Sequence, residues 1–159
     1  MCIENELGDS IVNSDTSSDD TEKSIVEYLN DPSCAKEILV THTTMKGCSP
    51  CKNLGNAFDE MREEYEEVIF QGFRIEDKPG VKNFLMERGL FAHPSIVIIT
   101  GEYIFWKMGA GSVEEEKAFW GSIFDTILEG EIEMNREERK VEILTEEFGK
   151  VSFEGQVKR

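Results

Sequence analysis

Two cysteines separated by two residues, Cys48 and Cys51, are the clearest chemical motif in this chain of 159 residues. Two thiols at this spacing can close a small disulfide ring or contribute to a metal site. In the first turn of a helix, unpaired backbone N–H groups and the positive end of the helix dipole stabilise a thiolate. We therefore expect Cys48 to be the exposed nucleophile of low pKa. Cys51, one turn further into the helix, is expected to be the shielded resolving thiol.

Three residues beside the cysteines bear on their chemistry. Lys46 and Lys52 flank the motif, and a cation close to a thiolate lowers its pKa, although lysines that contact only solvent give the same pattern. Pro50 suits the first turn of a helix and stiffens the loop between the sulfurs. The two lysines are therefore candidates for tuning the cysteine pKa, and Pro50 for shaping the loop.

Hydrophobic spacing predicts the elements that position the motif. Residues 37–44 are rich in β-branched and apolar side chains and predict a buried strand leading to Gly47. Residues 50–65 place apolar side chains at steps of three and four, which predicts an amphipathic helix that opens with the cysteines. The remaining pattern predicts a strand at 68–75, a helix at 81–88, a hairpin with strands 95–100 and 103–108, and a helix at 112–128. Because a parallel pair needs a helical crossover, the expected fold is α/β: a βαβ unit, then ββα, in a four-stranded mixed sheet with helices on both faces.

Both ends of the chain differ in pattern from this central part. Residues 1–20 are acidic and polar with few apolar anchors, and they are expected to form a disordered tail. A short N-terminal helix at 22–29 opens a domain that we expect to run from 21 to 130. Residues 131–159 are predicted to form an appendage, and their pattern fits either a hairpin around Gly149 or a helix.

Composition limits the partners of the chain. It holds 33 Asp and Glu against 17 Lys and Arg, a formal net charge of −16. Such a charge repels phosphate backbones and anionic lipids, so we expect neither nucleic acid nor membrane as a partner. No apolar run is long enough to cross a bilayer and no secretory signal is visible, so a cytoplasmic, reducing location is expected. There Cys2 and Cys34, which lack a motif, are expected to be unpaired thiols.

Three short motifs stand together in an order that points to one protein family. Residues 37–129 resemble the thioredoxin family in the motifs Cys48-Ser49-Pro50-Cys51-Lys52, His93-Pro94-Ser95 and Met108-Gly109-Ala110. The resemblance implies a thioredoxin fold in which Pro94 is cis and faces the cysteines. It also implies that backbone groups around His93, Pro94 and Gly109 bind the substrate. His93 is then either a partly exposed loop histidine or a group that lowers the pKa of the nucleophile or protonates a leaving thiolate.

The chain departs from this family at several positions. Gly47 stands where the family has a tryptophan before the first cysteine, and Asn56 where it has a helix-kinking proline. His42 aligns with the family's buried acidic residue. It is either a strand histidine satisfied by a neighbour or a proton acceptor for Cys51. These departures favour a divergent relative over a general reductant.

The sequence as a whole predicts a thiol–disulfide oxidoreductase that uses the Cys48/Cys51 couple. Its expected partners are a disulfide-bearing protein or small molecule and a thiol reductant or reductase, and no cofactor or resident metal is expected. Two alternatives stay open. One is a metal-binding module that holds zinc or an iron–sulfur cluster, and the other is a redox-inactive adaptor that keeps the fold for protein binding.

Overall fold

The computed structural model describes residues 38–77 and 79–157. Strand β1 (Ile38–Thr44), which leads to the cysteine motif, lies inside the sheet. It pairs in parallel with β2 (Val68–Arg74) and antiparallel with β3 (Ser95–Thr100). Its first six residues are buried. A strand that is flanked on both sides and covered on both faces needs such a continuous run of apolar and β-branched residues.

The other elements follow in the order that the sequence predicts, with small shifts at their ends. They are α1 (Ser49–Met61), a short 3-10 turn (Ile75–Asp77), α2 (Pro79–Met86), β4 (Tyr103–Met108), α3 (Val113–Leu128), β5 (Ile132–Asn135), β6 (Lys140–Thr145) and β7 (Gly149–Val157). Helix α1 ends four residues earlier than predicted, and α2 starts two residues earlier. The βαβ and ββα units of the predicted fold are both present.

The sheet has seven strands rather than the predicted four, in the order β2-β1-β3-β4-β7-β6-β5. The three additional strands come from the C-terminal segment. Residues around Gly149 form the hairpin β6–β7, and the helical alternative is wrong. On β6, buried Val141 and Ile143 alternate with less buried neighbours, the period-two pattern of a strand with one covered face. β7 then pairs antiparallel with the outer edge of β4, so the sheet continues past the predicted four strands.

Helices cover both faces of the sheet, as predicted. One core lies under α1 and α3 and includes side chains from β1, β2, β3, β4, β6 and β7, among them Val40, Phe70, Ile98, Phe105, Val141 and Phe153. The second core lies under α2 and includes Leu39, Ile69, Phe84, Leu85, Val97, Ile99 and Trp106. Because residues 132–157 contribute to the first core, the C-terminal strands pack as part of the same sheet.

Some sequence predictions fall outside the described residues. The disordered tail at 1–20, the helix at 22–29, and the unpaired thiols Cys2 and Cys34 all lie there, and the domain boundaries at 20 and 130 stay predictions. Among the described residues, no helix has the length and apolarity needed to cross a membrane.

Candidate active site

Cys48 and Cys51 form a disulfide at the start of α1, with their Cα atoms 5.2 Å apart. Cys48 is the N-cap of the helix in an extended conformation, and the backbone N–H of Cys51 donates to its Sγ atom at 3.1 Å. Pro50 stands in the first helical turn, where its missing N–H leaves no helical hydrogen bond unmade. Cys48 is half-buried, whereas Cys51 is 1% exposed. Cys48 is therefore the more solvent-accessible of the two cysteines, in the direction that the sequence predicts.

The loop before β3 lies against the sulfur of Cys48, the less buried of the two cysteines. The carbonyl oxygen of His93 is 3.8 Å from the Sγ atom of Cys48, and the His93–Pro94 peptide bond is cis, the form that the resemblance implies. The backbone N–H of Gly109 donates to the carbonyl oxygen of Pro94 at 2.8 Å. Gly109 has φ of +91°, a left-handed conformation that glycine adopts without a steric penalty. Three chain segments thus meet around the disulfide.

Comparison with solved structures connects this arrangement to a known fold. A thioredoxin from Fasciola hepatica matches with a TM-score of 0.50 and 21% identity over 69% of this chain and 93% of that one. A thioredoxin from Malassezia sympodialis matches with a TM-score of 0.50 and 20% identity over 74% of this chain and 90% of that one. This chain has a thioredoxin fold. No protein-family model matches the sequence, and no curated protein matches it.

Thr43 holds the loop of this thioredoxin fold in place, a role that sequence analysis missed. A hydrogen bond of 2.8 Å joins its Oγ1 atom to Nδ1 of His93, and the same oxygen accepts the backbone N–H of Ser95 at 2.9 Å. One buried hydroxyl on β1 therefore contacts the residues on both sides of Pro94. The partners are about fifty positions away in the sequence, so no local pattern reveals the contact.

The imidazole of His93 is partly buried, and burial lowers its pKa below the usual value. The carboxylate of Glu76 opposes this decrease, and Lys82 adds to it. Burial therefore disfavours a permanently charged imidazolium here. The atom of His93 that contacts Cys48 is its carbonyl oxygen, so the backbone of this residue lies at the site as predicted.

His42 is a buried histidine on β1, beneath the helix that carries the cysteines. Its ring packs edge-on against Phe58, with ring centroids 5.2 Å apart, and its Nδ1 atom has no hydrogen-bond partner. Both interpretations of His42, a strand histidine satisfied by a neighbour and a proton acceptor for Cys51, stay predictions. Burial lowers the pKa of His42 to about 4, and the nearby charge of Arg62 contributes. A backbone hydrogen bond with Gln71 raises the pKa of His42 and so offsets part of this decrease.

Lys46 and Lys52 do not contact the cysteine sulfurs through their ammonium groups in the described part of the chain. The backbone N–H of Lys46 donates to Oε2 of Glu76 at 2.8 Å, and this hydrogen bond lowers the pKa of the Glu76 carboxyl. The backbone N–H of Lys52 donates to the carbonyl oxygen of Cys48, as a helical residue does. Both lysines therefore contribute backbone contacts, and their role in tuning the thiol stays a prediction.

Two polar side chains fix the loop after Gly109, and sequence analysis missed both. Asn53 on α1 donates to the carbonyl oxygen of Gly111, and the buried carboxylate of Glu116 on α3 accepts the N–H of Gly111 at 2.8 Å. Glu116 also accepts the indole N–H of Trp120 at 3.0 Å. The spacing of four residues between Glu116 and Trp120 was the available signal, because side chains four apart on a helix are neighbours.

Proposed function

We propose that this protein is a thiol–disulfide oxidoreductase in which Cys48 attacks the substrate and Cys51 resolves the mixed disulfide. The observation that carries the proposal is the disulfide itself, placed at the N-terminus of α1 with one accessible and one buried sulfur. The helix dipole and the N–H of Cys51 stabilise negative charge on the Cys48 sulfur once the disulfide is reduced.

The reaction is a pair of thiol–disulfide exchanges. The Cys48 thiolate attacks one sulfur of a substrate disulfide, the mixed disulfide forms, and the other substrate sulfur leaves as a thiolate that takes a proton from water. Cys51 then loses its proton and attacks the Cys48 sulfur. This step closes the Cys48–Cys51 disulfide and releases the second substrate thiolate. Two electrons pass to the substrate, and a thiol reductant or a reductase returns the pair to its dithiol form.

The surroundings of Cys48 support this assignment. The carbonyl of His93 presents a backbone atom beside the sulfur, where an extended substrate finds a hydrogen-bond acceptor. Phe91, two residues before His93, is 68% exposed, and Met45 and Met108 are also exposed. Large exposed apolar side chains on the segments that flank a site are typical of a surface that contacts another molecule. The proposal includes a cytoplasmic location, where disulfides are kept reduced.

A reduction assay on a protein disulfide, combined with metal analysis of the same preparation, tests the proposal. We expect the metal-free protein to reduce insulin disulfides in the presence of dithiothreitol, and Cys48→Ser to lose the activity. Stoichiometric metal bound through both cysteines, without reduction, would favour the metal-binding module instead. Absence of both activity and metal would favour the adaptor. Among the described residues, no three His, Cys, Asp or Glu side chains form a group that could hold a metal ion.

A further inference from the structure

A cavity of about 490 Å³ opens where β4 and β7 separate, next to the loop that contacts Cys48. The β4–β7 pairing ends at Trp106 and Glu154, although β4 continues to Met108 and β7 begins at Gly149. The backbone N–H of Ala92 donates to the sulfur of Met108, so the rim of the cavity touches the loop that leads to His93. We call this cavity the fork.

The β4 side of the fork carries unpaired main-chain groups. The N–H of Gly109 donates to the carbonyl of Pro94, and Met108 lies opposite Ser95 on β3. In an antiparallel pair, this geometry marks Met108 and Ser95 as a pair without mutual hydrogen bonds. The N–H and C=O of Met108 therefore point away from β3 and into the fork.

The β7 side of the fork mirrors this arrangement. The N–H of Gly155 donates to the carbonyl of Arg139, and Glu154 lies opposite Lys140 on β6. The main-chain groups of Glu154 consequently point toward β4, and so do those of Ser152, two residues earlier. Continued pairing would place Ser152 opposite Met108, but the strands have already separated there. The fork thus presents two strand edges to any chain that enters it.

Cations line the fork in a chain whose net charge is −16. The Nζ atom of Lys107 lies 5.2 Å from the ring centre of Phe119, and the guanidinium of Arg88 lies 3.7 Å from that of Phe84. Within the described residues, neither cation forms a salt bridge, although Lys107 Nζ donates to the carbonyl oxygen of Gly109 at 3.4 Å and Arg88 donates to that of Phe84 at 2.9 Å. The Nε atom of Arg88 is buried without a hydrogen-bond partner. The carboxylate in the lining, Glu154, is paired with a third cation, Lys140, at 3.3 Å.

A second cavity of about 730 Å³ continues from the fork. It shares Arg88, Trp106 and Glu154 with the fork and adds the cations Arg136 and Arg139, together with the carboxylate of Glu87. Positive side chains therefore follow the β4–β7 seam over a distance longer than one cavity. A segment with a regular spacing of acidic side chains is complementary to this seam in charge.

We propose that the fork binds an extended acidic segment of a protein substrate, which adds a strand against the Met108 edge while Lys107 and Arg88 pair with its carboxylates. Strand addition supplies main-chain hydrogen bonds, and the cations supply specificity. The inference rests on the proposed oxidoreductase function, because it names the class of substrate that reaches Cys48. The fork is expected to bind an acidic polypeptide in preference to a neutral or basic polypeptide and to a small disulfide.

Binding of cysteine-free peptides to the full-length protein tests the inference separately from catalysis. Lys107 lies over Phe119 and Trp120 on one face of the sheet, and Arg88 lies over Phe84 and Trp106 on the other, so the probe carries adjacent Glu residues, whose side chains point to opposite faces of a strand. We expect a short fluorescent peptide of Glu-Glu pairs separated by Val to bind about tenfold or more tightly than its counterpart with Lys in place of Glu. Methylation of backbone nitrogens on alternate residues should weaken binding more in the register whose N–H groups face Met108 than in the other register, because the proposed main-chain pairing is with the Met108 edge. Equal binding of the acidic and basic peptides, or indifference to methylation in both registers, would overturn the proposal.

Variants of the full-length protein assign the binding to the fork. Lys107→Glu and Arg88→Gln should each weaken binding of the acidic peptide about tenfold. Lys150→Glu is the matched control: it lies on the same strand as Ser152 but pairs with Glu142, outside the fork, and should leave binding unchanged. Equal losses in all three variants would overturn the proposal. Binding that appears only after the acidic residues of segment 1–20 are replaced by amides would also overturn it, because the chain's own segment would then be the occupant.

The outcome does not depend on the proposed chemistry. If the acidic peptide binds the fork but the protein reduces no disulfide, the oxidoreductase assignment fails and the acidic-segment site stands. If the protein reduces insulin but binds the acidic and basic peptides equally, the oxidoreductase assignment stands and the acidic-segment site fails. Near-ultraviolet circular dichroism of each variant shows whether the fold is retained, and the methylated peptides test strand addition without any change to the protein.

Discussion

The imidazole of His42 fills the space that a side chain at position 72 would need. The two residues lie directly opposite each other on β1 and β2, and a Cβ atom on Gly72 would lie 2.8 Å from Cε1 of His42. The ring is buried between the strands and α1, so it has no open space into which to move. The His42 ring on β1 therefore fits only because position 72 on β2 is a glycine.

Gly72→Ala should lower the free energy of unfolding by about 1–3 kcal/mol, because the added methyl group overpacks a closed site. Urea denaturation measures the loss. The cost should disappear when His42 is also replaced by alanine. Gly55→Ala is the control, since its Cβ would lie 4.0 Å from the same ring within helix α1. That change should raise stability by about 0.5–1 kcal/mol, and a loss as large as that of Gly72→Ala would contradict the steric explanation.

Stability should fall as the pH decreases from about 6.5 to about 4. His42 has a pKa of about 4 in the folded chain, against an ordinary value of 6.5, so the unfolded chain binds more protons in this range. Above pH 6.5, neutral His42 contributes about 3 kcal/mol to the free energy of unfolding. This contribution is lost as the pH falls to about 4. His93 acts in the same direction, because burial lowers its pKa too.

Urea denaturation at several pH values checks this dependence. The chain has two histidines, so in His42→Leu the histidine contribution in this pH range comes from His93 alone, while the lowered pKa of Glu76 adds at the acidic end. We expect the pH dependence of the variant to be much shallower than that of the parent protein. An unchanged slope would mean that His42 is not held neutral by burial.

Thr43→Val should slow disulfide exchange and lower stability by about 1–3 kcal/mol, because it leaves the buried N–H of Ser95 without an acceptor and releases His93. Thr43→Ser retains the hydroxyl and should keep most of the exchange rate. Insulin reduction and urea denaturation measure the two effects. Equal exchange rates in the valine and serine variants would show that the hydroxyl does not position the loop.

Cys48→Ser should abolish exchange, whereas Cys51→Ser should accumulate mixed disulfides with the substrate, because only the resolving step is lost. Mass spectrometry of the protein after incubation with oxidised substrate detects the adduct. Alkylation of the reduced protein at neutral pH should label Cys48 first. Faster labelling of Cys51 would reverse the two roles.

Phe153→Ala should destabilise the whole domain by about 3–5 kcal/mol, because the ring packs against Phe105, Phe119 and Trp120 in the first core. Thermal and urea unfolding should show a single lower transition. Leu144→Ala, on β6 but 67% exposed, should change stability by less than about 0.5 kcal/mol. A separate early transition in Phe153→Ala would mean that the C-terminal strands unfold independently of the rest.

The sequence by itself determined the features that depend on neighbouring residues. The spacing of Cys48 and Cys51, Pro50 between them, and the apolar side chains of residues 50–65 place the cysteines at the start of an amphipathic helix, because helix periodicity and capping are local. At the C-terminal end, Val141, Ile143, Val151 and Phe153 fitted a hairpin around Gly149, whereas Val141, Leu144 and Phe148 fitted a helix, so the local pattern left both open.

Only the tertiary structure decided which distant groups meet. Thr43 reaches His93 and Ser95 because β1 and β3 lie side by side, and a single buried hydroxyl leaves no trace in a local pattern. The choice between hairpin and helix at the C-terminus was made by the open edge of β4, which offers main-chain partners to β7. The fork has the same origin, since the point where two paired strands separate depends on the packing beneath them and not on either strand alone.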